Sequence, residues 1–111
     1  MIKTLRSEKY RQARGFLVRK TKHRKKFCCL GVAHIVAGSK VIQTEQGLGF
    51  IDIEGRKSLE FLTHYVKEFF GFASLMGEFE KYEGGNSLIN YNDVQKYSFK
   101  QIADVIEEKG T

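Results

Sequence analysis

Apolar residues recur at helical spacing in the second half of the chain. Counting from Leu59, they fall at i, i+3, i+7 and i+10 with polar residues between them, which predicts a helix over residues 57–70, ended by Gly71. A second helix is predicted to begin after Ser98, because Ser98 and Gln101 have the spacing of a capping box. Its apolar stripe consists of Phe99, Ile102 and Ile106. Both helices have one apolar face and must pack it against a core.

Two further helices are predicted in the first half of the chain. Residues 2–12 indicate a short basic helix that Gly15 breaks. Residues 27–37 are apolar almost all round, which is typical of a buried helix, and Gly38 is well placed as its C-cap. The period alone does not distinguish this run from a buried strand, but its length favours the helix.

The other apolar runs are short and predict strands. Residues 16–19 form one strand, and residues 40–43 and 48–53 form two more, joined by a glycine-containing link that fits a hairpin. Residues 72–90 contain three glycines and indicate loops around a short strand or turn. The pattern therefore predicts an α+β fold, with about four helices around a small antiparallel sheet. Its 111 residues form a single domain, residues 1–111.

Charge is distributed unevenly along the chain. The basic segment, residues 1–26, contains eleven Lys or Arg and one acid, Glu8, whereas residues 27–111 contain eight Lys or Arg and twelve acids. The overall charge of +6 therefore combines a strongly positive end with a negative remainder. This polarity favours anionic partners, either a phosphorylated small molecule or a nucleic acid, although a basic run can also be a solvated arm.

Several function classes lack their signatures in this sequence. No apolar run approaches the roughly eighteen residues of a membrane span, and the N-terminus lacks the apolar region of a secretory signal, so we expect no membrane association. The chain has no phosphate-binding Gly-rich loop, no dinucleotide fingerprint and no zinc-ligand spacing. We therefore expect neither a metal nor a cofactor.

The two cysteines, Cys28 and Cys29, are adjacent within an apolar run. Adjacent cysteines seldom form a disulfide, because their Cβ atoms do not readily reach the required distance, so we expect two reduced, buried thiols. Cysteine catalysis would need an exposed thiolate of low pKa and a base such as His34 or His64. The apolar surroundings argue against this alternative, and no other catalytic set is present, so we predict that the protein is not an enzyme.

Two groups of residues have the chemistry of a site for a phosphorylated ligand. Arginines of the basic segment can bind phosphate oxygens in bidentate fashion and stack on bases. Asn and Asp before the final helix can read a base or a ribose, and Tyr can stack on a base. The structural alternative is that Asn-Asp simply forms a turn. The candidate ligand-binding residues are Arg14, Arg19, Arg24, Tyr91, Asn92 and Asp93.

Both ends of the chain resemble a widespread family of small bacteriophage proteins. The resemblance rests on Leu5-Arg6-Ser7-x-x-Tyr10-x-Gln12-x-Arg14-Gly15-x-Leu17, Phe27-Cys28-Cys29-Leu30-Gly31-Val32, Asn92-Asp93 and Ser98-Phe99-x-x-Ile102-Ala103-Asp104-x-Ile106-Glu107. The Phe-Cys-Cys-Leu-Gly-Val block is quite specific when combined with this ending. Residues 40–90 depart from the family, whose members often carry a Trp and a Leu-Pro segment there, because this chain has neither Trp nor Pro.

The resemblance implies a phage gene whose product acts in the cytoplasm of an infected bacterial host. Small phage accessory proteins often counter host defence, and one class, the anti-Thoeris and anti-cyclic-nucleotide sponges, sequesters nucleotide signals inside symmetric oligomers. We therefore expect a homo-oligomer that sequesters a cyclic nucleotide or a cyclic ADP-ribose variant without turnover. The apolar residues 69–72 also favour self-association. The alternative is a basic protein that binds nucleic acid or inhibits a host protein.

Overall fold

Short elements alternate along the chain in the computed structural model, which describes residues 1–79 and 87–109. The helices are α1 (Ile2–Arg6), α2 (Cys29–Val36), α3 (His64–Phe70), α4 (Leu88–Asp93) and α5 (Phe99–Lys109). The strands are β1 (Arg11–Gln12), β2 (Val18–Lys20), β3 (Lys25–Phe27), β4 (Lys40–Thr44), β5 (Gly47–Ile51) and β6 (Lys57–Ser58). The predicted α+β class is confirmed. Residues 80–86, part of the predicted loop region, lie outside the described residues.

The strands form two three-stranded sheets where the sequence predicts one. In the first sheet β3 lies in the centre, parallel to β1 and antiparallel to β2. In the second sheet β5 lies in the centre and is antiparallel to both β4 and β6. The predicted hairpin is confirmed in this second sheet, where the Thr44 hydroxyl donates to the Gly47 carbonyl oxygen at 2.8 Å across the turn.

The N-terminal helix is shorter than the predicted residues 2–12. Helix α1 ends at Arg6, and Glu8 takes a left-handed backbone conformation with φ of 60°. The chain then becomes extended so that β1 can pair with β3, and the Ala13 N–H donates to the Phe27 carbonyl oxygen at 2.7 Å. This pairing joins segments that are distant in sequence, so the local spacing of apolar residues does not reveal it.

The predicted helix over residues 57–70 is also shorter in the structure. Ser58 belongs to β6, and its hydroxyl donates to the Phe61 carbonyl oxygen at 2.5 Å, which holds a turn there instead of a helix. Helix α3 begins only after Thr63, whose side chain accepts a hydrogen bond from the Val66 N–H. The helical spacing of the preceding leucines therefore reflects burial of a turn against the core.

Helix α5 begins with the capping box that the sequence predicts. The Gln101 N–H donates to Ser98 Oγ at 3.2 Å, and Gln101 Oε1 accepts from the Ser98 N–H at 2.9 Å, so both halves of the predicted capping box are formed. Gly71 ends α3 with φ of 74°, as predicted. Both signals act within one helical turn, which explains why the sequence alone identifies them.

Helix α2 is the centre of the core. Residues Cys29 to His34 are all buried, which confirms the prediction of a helix that is apolar all round. The helix begins after Cys28 rather than at Phe27, because Phe27 belongs to β3. Among the described residues no helix is both long and apolar enough to cross a membrane.

Gly31 allows α2 to lie directly against the backbone that leads into β2. A Cβ atom at Gly31 would overlap the Leu17 carbonyl oxygen, and that oxygen also accepts a hydrogen bond from the Cys28 N–H at 3.2 Å. The contact is with backbone, so no side-chain rotation relieves it. The glycine therefore sets the distance between α2 and the first sheet.

We expect Gly31→Ala to lower the free energy of unfolding by about 3 kcal/mol, because the added methyl group overpacks a rigid contact. Urea denaturation followed by circular dichroism measures the change. In an unobstructed helix the same substitution stabilises by up to about 1 kcal/mol. An unchanged or increased stability would therefore contradict the close approach.

Candidate functional site

The asparagine predicted to read a ligand lies inside the protein. The Asn92 side chain is fully buried. Its Oδ1 accepts from Gln12 Nε2 at 2.9 Å and from the Cys29 N–H at 3.2 Å. Its Nδ2 donates to the Ala13 carbonyl oxygen at 2.9 Å and to Asp93 Oδ1 at 2.7 Å. All four hydrogen-bonding positions of the amide are used within the chain, so Asn92 is a structural residue and offers no group to a ligand.

Three other predicted site residues contact the same region around Asn92. The Asp93 carboxylate accepts from the Gly15 N–H at 2.9 Å. The Arg14 guanidinium donates to the Lys96 carbonyl oxygen, in the segment after α4, at 3.0 Å. Tyr91 is 7% exposed, and its ring packs on Tyr97 with centroids 5.0 Å apart. These residues connect the segment before β2 to α4 and to the loop that follows α4.

Arg19 and Arg24 have a different environment. Both lie on the basic hairpin, which we define as β2, β3 and the turn between them, and both side chains are exposed. They line two different clefts. The composite site that the sequence predicts, with arginines and the Asn92 segment around one ligand, is therefore not formed within a single chain.

Arg24 contributes to a cleft between the β1 edge of the first sheet and the start of α5. The cleft has a volume of about 440 Å³, and we call it the cationic cleft. Its charged lining residues are Glu8, Lys9, Arg11, Arg24 and Lys100, and its other lining residues are Leu5, Tyr10, Gln12, Ser98 and Phe99. The single acid is neutralised, since Glu8 pairs with Lys100 at 2.9 Å. The other three cations form no ion pair with any described residue.

Tyr10 supplies an aromatic surface in the cationic cleft. Its ring packs edge-on against Phe27, with centroids 5.4 Å apart. Lys9 Nζ lies 5.5 Å from the Tyr10 ring centroid, so a cation and an aromatic face occur together. The start of α5 lies in the same cleft, and the helix dipole adds positive potential there.

Two other clefts are less suited to an anion. The cleft that Arg19 lines, of about 510 Å³, also contains Lys20 but includes the acid Glu60. A cleft of about 680 Å³ beside the β4–β5 hairpin contains one acid, Glu45, and one cation, Lys57. The cationic cleft therefore has the largest excess of positive charge among these three.

The cysteines and His34 lack the environment of catalytic groups. Cys28 and Cys29 are free and buried, which confirms the sequence-based expectation. Burial raises the pKa of Cys28 to about 12 and raises the pKa of Cys29 well above its ordinary value. His34 is fully buried, with its ring nitrogens 3.2 Å from the Ser39 hydroxyl and 3.1 Å from the Phe61 carbonyl oxygen, and burial lowers its pKa. It is a hydrogen-bonded core histidine.

Of the residues that line the cationic cleft, Arg24 alone was a predicted site residue, and the cations and aromatic ring that were missed are those of Lys9, Tyr10, Arg11 and Lys100. The sequence predicts that the first three lie on a helix, where they would spread around its circumference, whereas in the structure the helix ends at Arg6 and all three line one cleft. The excess of charge in residues 1–26 was the only signal that pointed to them. Within residues 1–79 and 87–109, no cluster of His, Cys, Asp or Glu could hold a metal ion.

Comparisons with protein-family models, curated proteins and solved structures find no match to this chain. The relation to small phage proteins therefore stays a prediction from the motifs. The function has to be inferred from the geometry and charge of the chain itself.

We expect Asn92→Asp to lower the free energy of unfolding by about 3 kcal/mol, because a buried carboxylate would face the Ala13 carbonyl oxygen and the Asp93 carboxylate. Thermal denaturation at neutral pH measures the loss. Asn90→Asp is the matched control on the same helix, since Asn90 Oδ1 accepts from Gln95 Nε2 and a carboxylate retains that acceptor. Equal stability of the two variants would contradict the structural role of Asn92.

We expect both thiols to react with a thiol reagent only on unfolding, because their raised pKa keeps them neutral and burial blocks access. Native labelling should therefore be far slower than labelling in urea. The raised pKa of Cys28 also makes the free energy of unfolding depend on pH. Stability due to the neutral thiols is complete below the unfolded-state pKa, near 9, and is lost as pH rises toward 12. Rapid labelling of the native protein at pH 8 would restore the alternative of a reactive cysteine.

Proposed function

We propose that this protein binds a phosphorylated small molecule of nucleotide type in the cationic cleft and holds it without turnover. The observation that carries the proposal is the convergence of Lys9, Arg11 and Arg24 on one cleft, where the one acid among the described lining residues, Glu8, is already paired with Lys100. Three cations around a concave site, none of them paired with a described residue, attract a ligand with more than one negative charge. The volume of about 440 Å³ is within the range of small-molecule sites.

The two arginines favour phosphate over other anions. A guanidinium presents parallel N–H donors that match two oxygens of a phosphate group, whereas the Lys9 ammonium adds a point charge. Arg11 and Arg24 come from different segments, the β1 strand and the turn of the basic hairpin, so a ligand with two phosphates could contact both. Ser98 adds a hydroxyl to the same lining.

The aromatic ring in the cleft favours a nucleotide over a simple polyphosphate. Tyr10 is half-buried, and its edge-on contact with Phe27 restricts its orientation. A base that stacked on this ring would lie beside the cations that hold its phosphates. Aromatic surface and phosphate-binding groups then serve the two halves of one ligand.

Binding without turnover is supported by the residues that line the cleft. The lining residues within 1–79 and 87–109 include no cysteine and no histidine, and the one carboxylate among them, that of Glu8, is paired with Lys100. The Ser98 hydroxyl is occupied as an acceptor for the Gln101 N–H. The cleft thus lacks a free general base next to a nucleophile.

The phage-like motifs at both ends support a phage accessory protein that acts in the cytoplasm of the infected host. We propose that it is a homo-oligomer, which would enclose a ligand more fully than one open cleft. Of the apolar residues 69–72, Phe72 is buried and Phe70 is half-buried, but Phe69 is 52% exposed. Phe69 is therefore the residue of this stretch that is available for contact with another copy.

We expect Arg24→Ala and Arg11→Ala each to weaken nucleotide binding by roughly 10- to 150-fold, which corresponds to about 1.5–3 kcal/mol for a charged hydrogen bond. Calorimetry with cyclic AMP, a cyclic dinucleotide and ADP-ribose measures the effect. Lys40→Ala removes an exposed cation from the second sheet and is the matched control. Native mass spectrometry reports the number of copies and whether the bound ligand keeps its mass.

Two results would overturn the proposal. One is the absence of binding by every probe at low salt. The other is an equal loss of affinity in Lys40→Ala, which would indicate a general effect of charge rather than a site.

A further inference from the structure

The first sheet places like charges directly opposite one another. Its register pairs Arg19 with Lys26 and Lys20 with Lys25 in the antiparallel pair, and it pairs Arg11 with Lys26 in the parallel pair. Directly opposite residues lie on the same face of a sheet, and like charges in these positions are destabilising. Arg11, Lys26 and Arg19 therefore form a row of three cations across the full width of the sheet.

No ion pair between described residues involves these charges. The ion pairs in this part of the chain involve Arg6, Lys67 and Lys100, none of which lies on the first sheet. Residues 19–26 contain six Lys or Arg and no acid. A surface that keeps so many unpaired cations in close register is one that a bound polyanion stabilises.

The tip of the basic hairpin is cationic on both faces. Successive residues of a strand point to opposite faces, so the Arg19 and Lys26 pair lies on one face and the Lys20 and Lys25 pair on the other. The Thr21 N–H and hydroxyl both bond to the Arg24 carbonyl oxygen, at 2.9 and 2.7 Å, and this closes the turn. The tip therefore forms a compact ribbon that carries cationic side chains on both faces.

The extent of this surface suits an extended partner. Neighbouring strands are about 4.8 Å apart, so the backbones of Arg11 and Arg19, at the two ends of the row, are separated by roughly 10 Å. A polymer with regularly spaced phosphates offers a separate phosphate group to each cation of such a row. The major groove of B-DNA, about 12 Å wide, accommodates a two-stranded ribbon with phosphate backbones on either side.

We propose that the basic hairpin is a binding surface for duplex DNA, which shares Arg24 with the cationic cleft but extends well beyond it. Cations on both faces of the ribbon can contact both walls of a groove, whereas a flat surface would contact one backbone. Single-stranded nucleic acid is bound mainly by stacking on several aromatic rings. The Phe16 ring lies beside the hairpin, but the Arg19 guanidinium carbon is 5.4 Å from its centroid, so this ring face is already covered. A-form RNA has a deep, narrow major groove that fits the ribbon less well.

The test compares two triple variants that remove the same charge. Lys20→Gln, Lys22→Gln and Lys25→Gln remove three of the six hairpin cations and leave Arg11 and Arg24, which line the cationic cleft, unchanged. Lys40→Gln, Arg56→Gln and Lys57→Gln neutralise three exposed cations in the region of the second sheet. Lys22→Gln alone changes only a turn position and serves as a variant with minimal risk to folding. Binding to a 20-base-pair duplex is measured by fluorescence anisotropy between 50 and 200 mM KCl.

For the wild-type protein we expect log K to fall with log salt with a slope of about −5 if all six hairpin cations contact phosphates, at about −0.9 per contact. The hairpin triple variant should reduce the magnitude of that slope by about 3, Lys22→Gln by about 1, and the control triple variant by less than 1. The hairpin triple variant should keep its affinity for cyclic AMP within about twofold of the wild type, because the cleft arginines are unchanged.

Three results would overturn the DNA proposal. They are the absence of duplex binding at 50 mM KCl, an equal change in the control triple variant, and tighter binding to a single strand or to duplex RNA than to duplex DNA. Failure of every small-molecule probe to bind would overturn the function of the cleft but not the DNA surface. The cleft is tested with variants of Arg11 and Arg24, whereas DNA binding is tested with variants of Lys20, Lys22 and Lys25.

Discussion

The buried amide of Asn92 holds together three parts of the chain that are distant in sequence. It bonds to Gln12 and Ala13 at β1, and to the Cys29 N–H at the start of α2. The first N–H groups of a helix lack partners within that helix. Cys28, at the N-cap of α2, makes no side-chain capping bond, so Asn92 supplies the cap from α4. The start of the central helix and the position of β1 therefore depend on one residue.

The position of the cationic cleft depends on these hydrogen bonds around Asn92. Gln12 Nε2 donates to Asn92 Oδ1 and to the Tyr97 carbonyl oxygen, so β1 is held between α4 and the segment before α5. Because neighbouring residues of a strand point to opposite faces, Arg11 must then point away from the core. The ion pairs of Arg6 with Asp104 and Glu107 bring α1 alongside α5 on the other side. Exposed pairs of this kind stabilise the fold little, but they add to the alignment of the cleft walls.

The parts of the fold that could be predicted from the sequence are those with local signals. The capping box of α5 and the hairpin turn at Thr44 and Gly47 act over a few residues, and both predictions are confirmed. The burial of the adjacent cysteines also follows from the apolar run around them. Local pattern was sufficient in each case because few distant contacts compete with it.

The site could not be predicted in the same way, because it depends on contacts between distant segments. The residue type of Asn92 suggested either a turn or a ligand contact, and both interpretations assumed exposure. Only the fold shows that β1 and α2 surround this amide. Likewise, the parallel pairing of β1 with β3 places Arg11 beside Lys26, although these residues are distant in sequence. Strands as short as β1 and β3 show no alternation of apolar and polar residues from which their pairing could be predicted.

The charged register of the first sheet also bears on how copies of this chain avoid aggregation. Strand β2 is an outer strand, so one side of its backbone is not paired within the sheet. Open strand edges are templates for pairing with another chain, and lysines and arginines on them oppose it. Two copies that approached edge to edge at β2 would bring Arg19 and Lys20 of each close together. The same repulsion that weakens the hairpin therefore protects its edge, and any partner that neutralises these charges must also cover the strand.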